Sequence, residues 1–161
     1  MNKASGRNFE ELIEASNEHY RMLGRAEISK TPEPMKPIKS CGKGRFVACF
    51  EKRAQPDFKG VIAGGRTVCF EAKHTDQEHI FQSVVNTEQT ISLNRHMKLG
   101  AECFVLVSFG FYEFFRIPWG VWVNMKTIYG HKYITPKEAY QYKILLKNGV
   151  LDYLKAEDIN T

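Results

Sequence analysis

The chain has 161 residues, of which 43% are hydrophobic and 25% are charged, as expected for one soluble globular domain with a good core. No apolar run approaches the roughly twenty residues of a membrane span, and the start, MNKASGRNFEEL, lacks the apolar core of a signal peptide. The net charge of +5 fits a nucleic-acid partner. We therefore expect a single cytoplasmic domain over residues 1–161.

The first predicted element is an amphipathic helix over Asn8–Leu23, with Gly24 as its C-terminal cap. A short strand, Ala26–Ser29, follows it. The apolar stripe of the helix comprises Phe9, Leu12, Ile13, Ser16 and Tyr20.

Residues 31–46 are predicted to form a projecting arm. Its sequence, TPEPMKPIKSCGKG and onward, holds prolines and glycines that disrupt regular structure and stiffen the loop. A solvated basic loop is the alternative, but the local excess of positive charge favours a footprint for nucleic acid. This excess lies between Lys36 and Arg53, where one acid, Glu51, is outnumbered by six basic residues: Lys36, Lys39, Lys43, Arg45, Lys52 and Arg53.

The segment PDFKGVIAGGRTVCFEAK predicts a β-hairpin that brings three charged side chains close together. A two-residue loop at Gly64-Gly65 would set Asp57 opposite Ala72, between Glu71 and Lys73. Two carboxylates can hold Mg²⁺ and a lysine can steady phosphate charge, which indicates metal-assisted phosphodiester hydrolysis. An ordinary hairpin with charged edges is the alternative. Charges at the end of an apolar strand are costly unless used, and this favours a site.

The second half alternates helix and strand. A helix over Glu88–Leu99, capped by Thr87 and ended by Gly100, should turn Leu93 and Met97 to the core. Strands at Cys103–Val107 and Tyr112–Ile117 and a helix from Pro118 come next. The aromatic residues of the last forty positions favour packing over base stacking. The four cysteines, without a CxxC pair, are expected to be mostly buried thiols in a reducing compartment.

The motifs GRNFEELIEASNEHY, KTPEP, PDFKG, FEAKHT, EQTISLNRHMKLGAECFVLVSF and FFRIPW occur in this order over roughly residues 6–120. In this the chain resembles the RecU family of Holliday junction resolvases, within the PD-(D/E)xK nuclease superfamily. A phage or mobile-element member is one form such a chain could take. The resemblance implies an α/β, restriction-endonuclease-like fold: a mixed β-sheet flanked by helices, with a protruding basic stalk.

The resemblance also implies roles for individual residues. Asp57 and Glu71 would ligate Mg²⁺, with Mn²⁺ as a substitute, and Lys73 would stabilise the transition state. Gln89 would contribute to the metal shell. Glu10 matches an acid of related resolvases, with its neighbour Glu11 as the alternative.

One departure concerns the residues before Asp57. The family has Ser or Thr there, whereas this chain has Ala54-Gln55-Pro56, so that Gln55 is the remaining candidate for the contact. The expected activity is cleavage of four-way DNA junctions in recombination and repair by a homodimer, leaving 5′-phosphate and 3′-hydroxyl ends. The alternatives are a restriction or nicking endonuclease of the same superfamily and a non-catalytic DNA-binding or bridging module.

Overall fold

The structure is a computed structural model that describes residues 3–50 and 55–154. Its helices are α1 (Lys3–Met22), α2 (Thr87–Lys98), α3 (Trp119–Val123) and α4 (Met125–Tyr129). Its strands are β1 (Ala26–Lys30), β2 (Met35–Gly42), β3 (Arg45–Phe50), β4 (Phe58–Ile62), β5 (Thr67–Thr75), β6 (Ile80–Phe81), β7 (Glu102–Phe109), β8 (Glu113–Pro118), β9 (Tyr133–Ile134), β10 (Lys143–Ile144), β11 (Leu146–Lys147) and β12 (Val150–Leu151).

Six strands form a mixed central sheet in the order β1-β4-β5-β7-β8-β10. β5 and β7 are parallel, and the other neighbours are antiparallel. Parallel neighbours need a crossover connection, and here it contains β6 and α2. The crossover places α2 against the strand that carries Glu71 and Lys73, and this contact positions the site.

Two hydrophobic cores lie on opposite faces of the sheet. Phe70 of β5 packs with Phe9 of α1 on one face, whereas Cys69 packs with Leu93 of α2 on the other. This follows from the alternation of side chains along a strand. The predicted mixed sheet flanked by helices is confirmed, and none of the helices in the described part of the chain is long and apolar enough to span a membrane.

The β4–β5 hairpin differs from the predicted one by one residue. Phe58 pairs with Phe70, and the loop has three residues instead of two. The predicted register set Asp57 opposite Ala72, whereas the observed register, continued by one residue, brings Asp57 level with Glu71. A shift of one residue moves a side chain to the other face of a sheet. The longer loop therefore turns Asp57 toward the face on which α2 lies.

β2 and β3 form a separate two-stranded antiparallel ribbon, residues 35–50. Every residue of both strands is exposed, and the tip is the turn Gly42-Lys43-Gly44 with all three residues at positive φ. The expectation that the prolines prevent regular structure here is wrong. Pro37 lies in a strand with no third neighbour, where its missing N–H costs little, and a bulge follows it directly.

Smaller differences concern α2 and the cysteines. Asn86, not Thr87, is the N-cap of α2, and Met97 is 43% exposed, whereas Leu93 is buried as expected. Cys69 and Cys103 are buried, but Cys41 and Cys49 are exposed on the ribbon, where no core covers either strand. The prediction of mostly buried thiols therefore holds for the central sheet alone.

Candidate active site

Asp57 is held at the start of β4 by its side chain and its backbone. Its carboxylate Oδ2 accepts a hydrogen bond from the backbone N–H of Ala72 at 3.0 Å, and its carbonyl accepts from Thr31 N at 2.8 Å. The first bond aims the carboxylate across the hairpin at β5. The second ties the site to the end of β1, where the chain leaves for the ribbon.

Glu71 and Lys73 project from the same face of β5, since they are two residues apart on a strand. Lys73 Nζ lies 3.1 Å from Glu71 Oε2 and 3.8 Å from Asp57 Oδ2. Glu71 has no exposed surface, and the side chain of Lys73 is 11% exposed. The structure thus brings together the three residues that the sequence places at the centre of the site.

The electrostatics of Glu71 are unfavourable in the absence of a cation. Burial, reinforced by the charge of Asp57 and opposed by that of Lys73, raises the pKa of Glu71 to about 8. Its Oε1 is buried and has no hydrogen-bond partner among the described residues. A buried carboxylate with an unsatisfied oxygen is expensive for a fold to keep, which indicates a functional use.

Gln89 of α2 lies directly against Glu71. Its amide Nε2 donates to Glu71 Oε2 at 2.6 Å, while its Oε1 accepts from Asn86 N at 3.1 Å in a capping box. The amide oxygen is therefore engaged by the helix cap, and the contact with the site is through the N–H₂ group. The role of Gln89 in the metal shell stays a prediction. In the structure, its side chain orients the carboxylate of Glu71 through this hydrogen bond.

Glu10 lies on α1 and forms an ion pair with Lys30 at 2.6 Å. The hydrogen bond that Lys30 donates to Glu10 raises the pKa of Lys30, and the charge of Asp57 contributes to the same shift. Lys30 thus lies within the field of both acids. Lys30 was not among the predicted site residues, because no sequence pattern links it to Glu10, which lies 20 positions earlier in the chain. Glu11 is exposed on α1.

Gln55 and the predicted DNA-binding residues lie around this centre. Gln55 Oε1 accepts from Lys59 Nζ at 3.0 Å, so its amide oxygen already has a partner. Four of the basic residues are exposed on the ribbon: Lys36, Lys39, Lys43 and Arg45, hereafter the basic ribbon set. Lys52 and Arg53 lie outside the described residues.

The donor set fits a small hard cation. Within residues 3–50 and 55–154, no group of three or more His, Cys, Asp or Glu side chains forms a complete metal cage. Asp57 and Glu71 offer two carboxylates, one of them with a buried oxygen that lacks a partner. Mg²⁺ is bound in this manner in enzymes of phosphate chemistry, where one or two carboxylates hold it and waters and substrate phosphate complete its coordination.

A sequence model of the family described as Recombination protein U matches residues 4–159. The chain belongs to the RecU family. The Holliday junction resolvase RecU of Lactococcus lactis subsp. lactis is 32% identical over 110 residues, which cover 65% of this chain and 51% of that protein. The protein of the same name from Streptococcus gordonii is 31% identical over 110 residues, covering 65% of this chain and 54% of its own. The chain spans about half the length of these curated relatives.

A solved structure supports the fold independently. Hjc of Archaeoglobus fulgidus, described as a Holliday junction resolvase, superposes with a TM-score of 0.50 over 84% of this chain and 93% of that one. The sequence identity is 12%, and the likeness therefore concerns architecture. The RecU-family chain has the restriction-endonuclease-like fold, with Asp57, Glu71 and Lys73 at the hairpin of its central sheet.

Proposed function

We propose that this RecU-family chain is a metal-dependent endodeoxyribonuclease that cuts four-way DNA junctions in recombination and repair. The observation that carries the proposal is the convergence of Asp57, Glu71 and Lys73, with the Oε1 atom of Glu71 buried and without a hydrogen-bond partner in the part of the chain that the structure describes. The relatives named as Holliday junction resolvases support the choice of substrate.

Asp57 and Glu71 would hold Mg²⁺, with Mn²⁺ as a substitute. Bound there, the cation would supply Lewis-acid chemistry, which would lower the pKa of a water molecule and neutralise charge on phosphate oxygens. The amine of Lys73 lies within 4 Å of both carboxylates, where it would face the charge that grows on the phosphate in the transition state. Gln89 orients Glu71 through the 2.6 Å hydrogen bond. The products would carry 5′-phosphate and 3′-hydroxyl ends.

The strand register of the ribbon supports selection of branched DNA, because it gathers basic residues on one of the two faces of the ribbon. Residues paired directly across two strands share a face, and Lys36 pairs with Cys49 and Lys39 with Val47. The bulge between Pro37 and Lys39 places both lysines on the face to which Arg45 also belongs. A projecting strand pair with one cationic face can enter the phosphate-lined opening of a junction, which linear duplex lacks.

Resolution of a junction requires two symmetric cuts, whereas one chain supplies one site. A twofold homodimer would bring two sites to one junction. Analytical ultracentrifugation with and without junction DNA tests this part of the proposal. A stable complex of one chain with one junction that still makes paired cuts would contradict it.

The decisive experiment compares end-labelled four-way junction, Y-form and linear duplex of equal length, with and without Mg²⁺. We expect cleavage that requires the cation and is fastest on the junction. Equal rates on linear duplex would indicate a restriction-type or nicking nuclease. Junction binding without cleavage under any divalent cation would indicate a bridging module.

Lys73→Ala is the matched test of the chemical step. Loss of one transition-state donor costs about 10²-fold or more in rate. Lys59→Ala, on the same face of the neighbouring strand but bonded to Gln55, is the control and should change the rate far less. Comparable losses in both variants would contradict a specific role for Lys73.

A further inference from the structure

An aromatic cluster lies beyond the C-terminal end of β5, outside the site described above. Its rings are Tyr129, His131, Tyr133, His79 and Phe81, hereafter the aromatic edge. His131 stacks on Tyr133 with ring centroids 3.7 Å apart, and Phe81 meets His79 at 4.8 Å and Tyr133 at 6.0 Å. The rings form a connected series built by the end of α4, β9 and β6.

The pairing of β6 with β9 turns this cluster outward. Phe81 pairs with Tyr133, and Ile80 pairs with Ile134. The two isoleucines are buried, so that the aromatic partners lie on the opposite face, toward solvent. Phe81 keeps 52% of its surface exposed at the open end of the series. Packing among the rings accounts for Tyr133 and His131, but leaves the free surface of Phe81 unused.

A cavity joins Phe81 to the catalytic strand. It measures about 220 Å³ and is lined by residues from His74 to Val84, including His79 and Phe81. Pockets that enclose a whole small molecule measure roughly 300–1,000 Å³, so this cavity suits a single planar group. Thr75, which also lines the cavity, lies two residues after Lys73 and projects from the same face of β5, so that an occupant of the cavity would lie near the strand that carries the candidate site.

The charged residues around the aromatic edge would attract a polyanion only weakly. Lys126, Lys132 and Lys137 are exposed on or beside α4 and β9. Two nearby acids are engaged by histidines, Asp76 with His74 at 3.0 Å and Glu138 with His131 at 2.9 Å. Glu78 is exposed on the same loop and reduces the positive field. Affinity at this edge must therefore come mainly from contact with rings.

We propose that the aromatic edge binds an unpaired segment of DNA by base stacking, with Phe81 as the outermost platform. Every nucleobase has a face that can stack on an aromatic ring, so such a surface accepts single strands without reading sequence. In duplex DNA the bases of every interior pair are already stacked on both faces, so that only the two end pairs of a linear duplex present a free face. The proposal rests on the proposed function only for the identity of the polymer as DNA.

The test uses the full chain in EDTA, so that binding is measured without cleavage. Fluorescence anisotropy of labelled oligo-dT and of linear duplex is recorded for wild type, Phe81→Ala and Leu99→Ala at low and high salt. Leu99 is 89% exposed at the opposite end of the sheet and is the control. We expect Phe81→Ala to weaken oligo-dT binding roughly tenfold at both salt concentrations, with duplex binding unchanged. Phe81→Trp should retain affinity, and the added indole should lose fluorescence when the oligonucleotide binds.

Each other outcome counts against the stacking surface. Equal losses of affinity for oligo-dT and for duplex in Phe81→Ala would mean that Phe81 contacts any DNA and does not stack on unpaired bases. Unchanged indole fluorescence in Phe81→Trp on binding of oligo-dT would mean that the base binds at another place. A shift of Phe81→Ala from dimer to monomer in light scattering would identify the edge as a contact between two copies. If the protein cleaves no junction but Phe81→Ala still weakens binding of oligo-dT, the stacking site is supported and the proposed function is contradicted. If the protein cleaves junctions but Phe81→Ala leaves binding of oligo-dT unchanged, the proposed function is supported and the stacking site is contradicted.

Discussion

The isosteric change Glu71→Gln should abolish cleavage and at the same time stabilise the metal-free protein. In the folded, metal-free protein the pKa of Glu71 is raised to about 8, from an ordinary value of 4.5. Below pH 4.5 both states hold the proton and no cost arises. Between these values the folded state alone holds it, and stability falls as pH rises. At pH 7 the cost is roughly 3 kcal/mol, which corresponds to roughly 6–12 °C in Tm for a domain of this size.

The assay is urea and thermal unfolding of wild type and variant in EDTA at pH 5 and pH 8. We expect nearly equal stability at pH 5 and a clear advantage of Glu71→Gln at pH 8. Glu27→Gln, an exposed acid on edge strand β1, is the control and should change little at either pH. Added Mg²⁺ should raise the stability of wild type and leave Glu71→Gln nearly unchanged, because the variant lacks a metal ligand.

Three results would contradict these expectations. Destabilisation by Glu71→Gln at pH 8 would mean that the carboxylate makes structural contacts worth more than its burial costs. If Glu71→Gln were more stable than wild type by the same amount at pH 5 and pH 8, the stabilisation would not come from the ionisation of Glu71. Full cleavage activity in the variant would remove Glu71 from the site altogether.

The other predictions concern binding, metal affinity and the ribbon. Asp57→Asn should abolish cleavage with junction affinity within about threefold by anisotropy, because affinity comes from basic residues elsewhere; retained cleavage would exclude the site. Gln89→Ala should raise the Mg²⁺ concentration for half-maximal cleavage about 10- to 100-fold, as loss of an orienting partner does. Asn86→Ala, which removes only the cap, should cost about 1 kcal/mol in stability without that shift. Neutralising the basic ribbon set should weaken junction binding more than duplex binding and lower the salt slope by up to about 3.6; equal losses would leave only general attraction.

The sequence was sufficient to predict that the residues of the candidate site converge, because they lie close together in the chain. Asp57, Glu71 and Lys73 belong to one hairpin, and strand alternation places the last two on one face whatever the loop length. The register was wrong because two glycines allow loops of two or three residues at similar cost. That choice decides whether Asp57 faces α1 or α2, and local sequence does not determine it.

Contacts between distant segments were less predictable. The ion pair of Glu10 with Lys30 joins α1 to β1, and neither residue has a sequence pattern that marks the pairing. The ribbon was misjudged for a related reason. Prolines oppose strands inside a sheet, but a two-stranded ribbon leaves one edge of each strand free, and bulges absorb the irregularity. Tertiary context reverses the local preference in this segment.

In the proposed site, the arrangement around Glu71 would couple folding to metal binding. Burial makes the carboxylate costly to ionise, and Oε1 is buried with no hydrogen-bond partner among the described residues, so a divalent cation would relieve both penalties at once. A cation at 100 times its Kd would contribute about 2.7 kcal/mol, comparable to the cost of Glu71 near neutral pH. A more exposed glutamate would stabilise the metal-free fold but would bind the cation in competition with bulk water. In the proposed site, the burial of Glu71 against Gln89 would therefore lower the stability of the metal-free protein and hold the metal ligand in place before the cation binds.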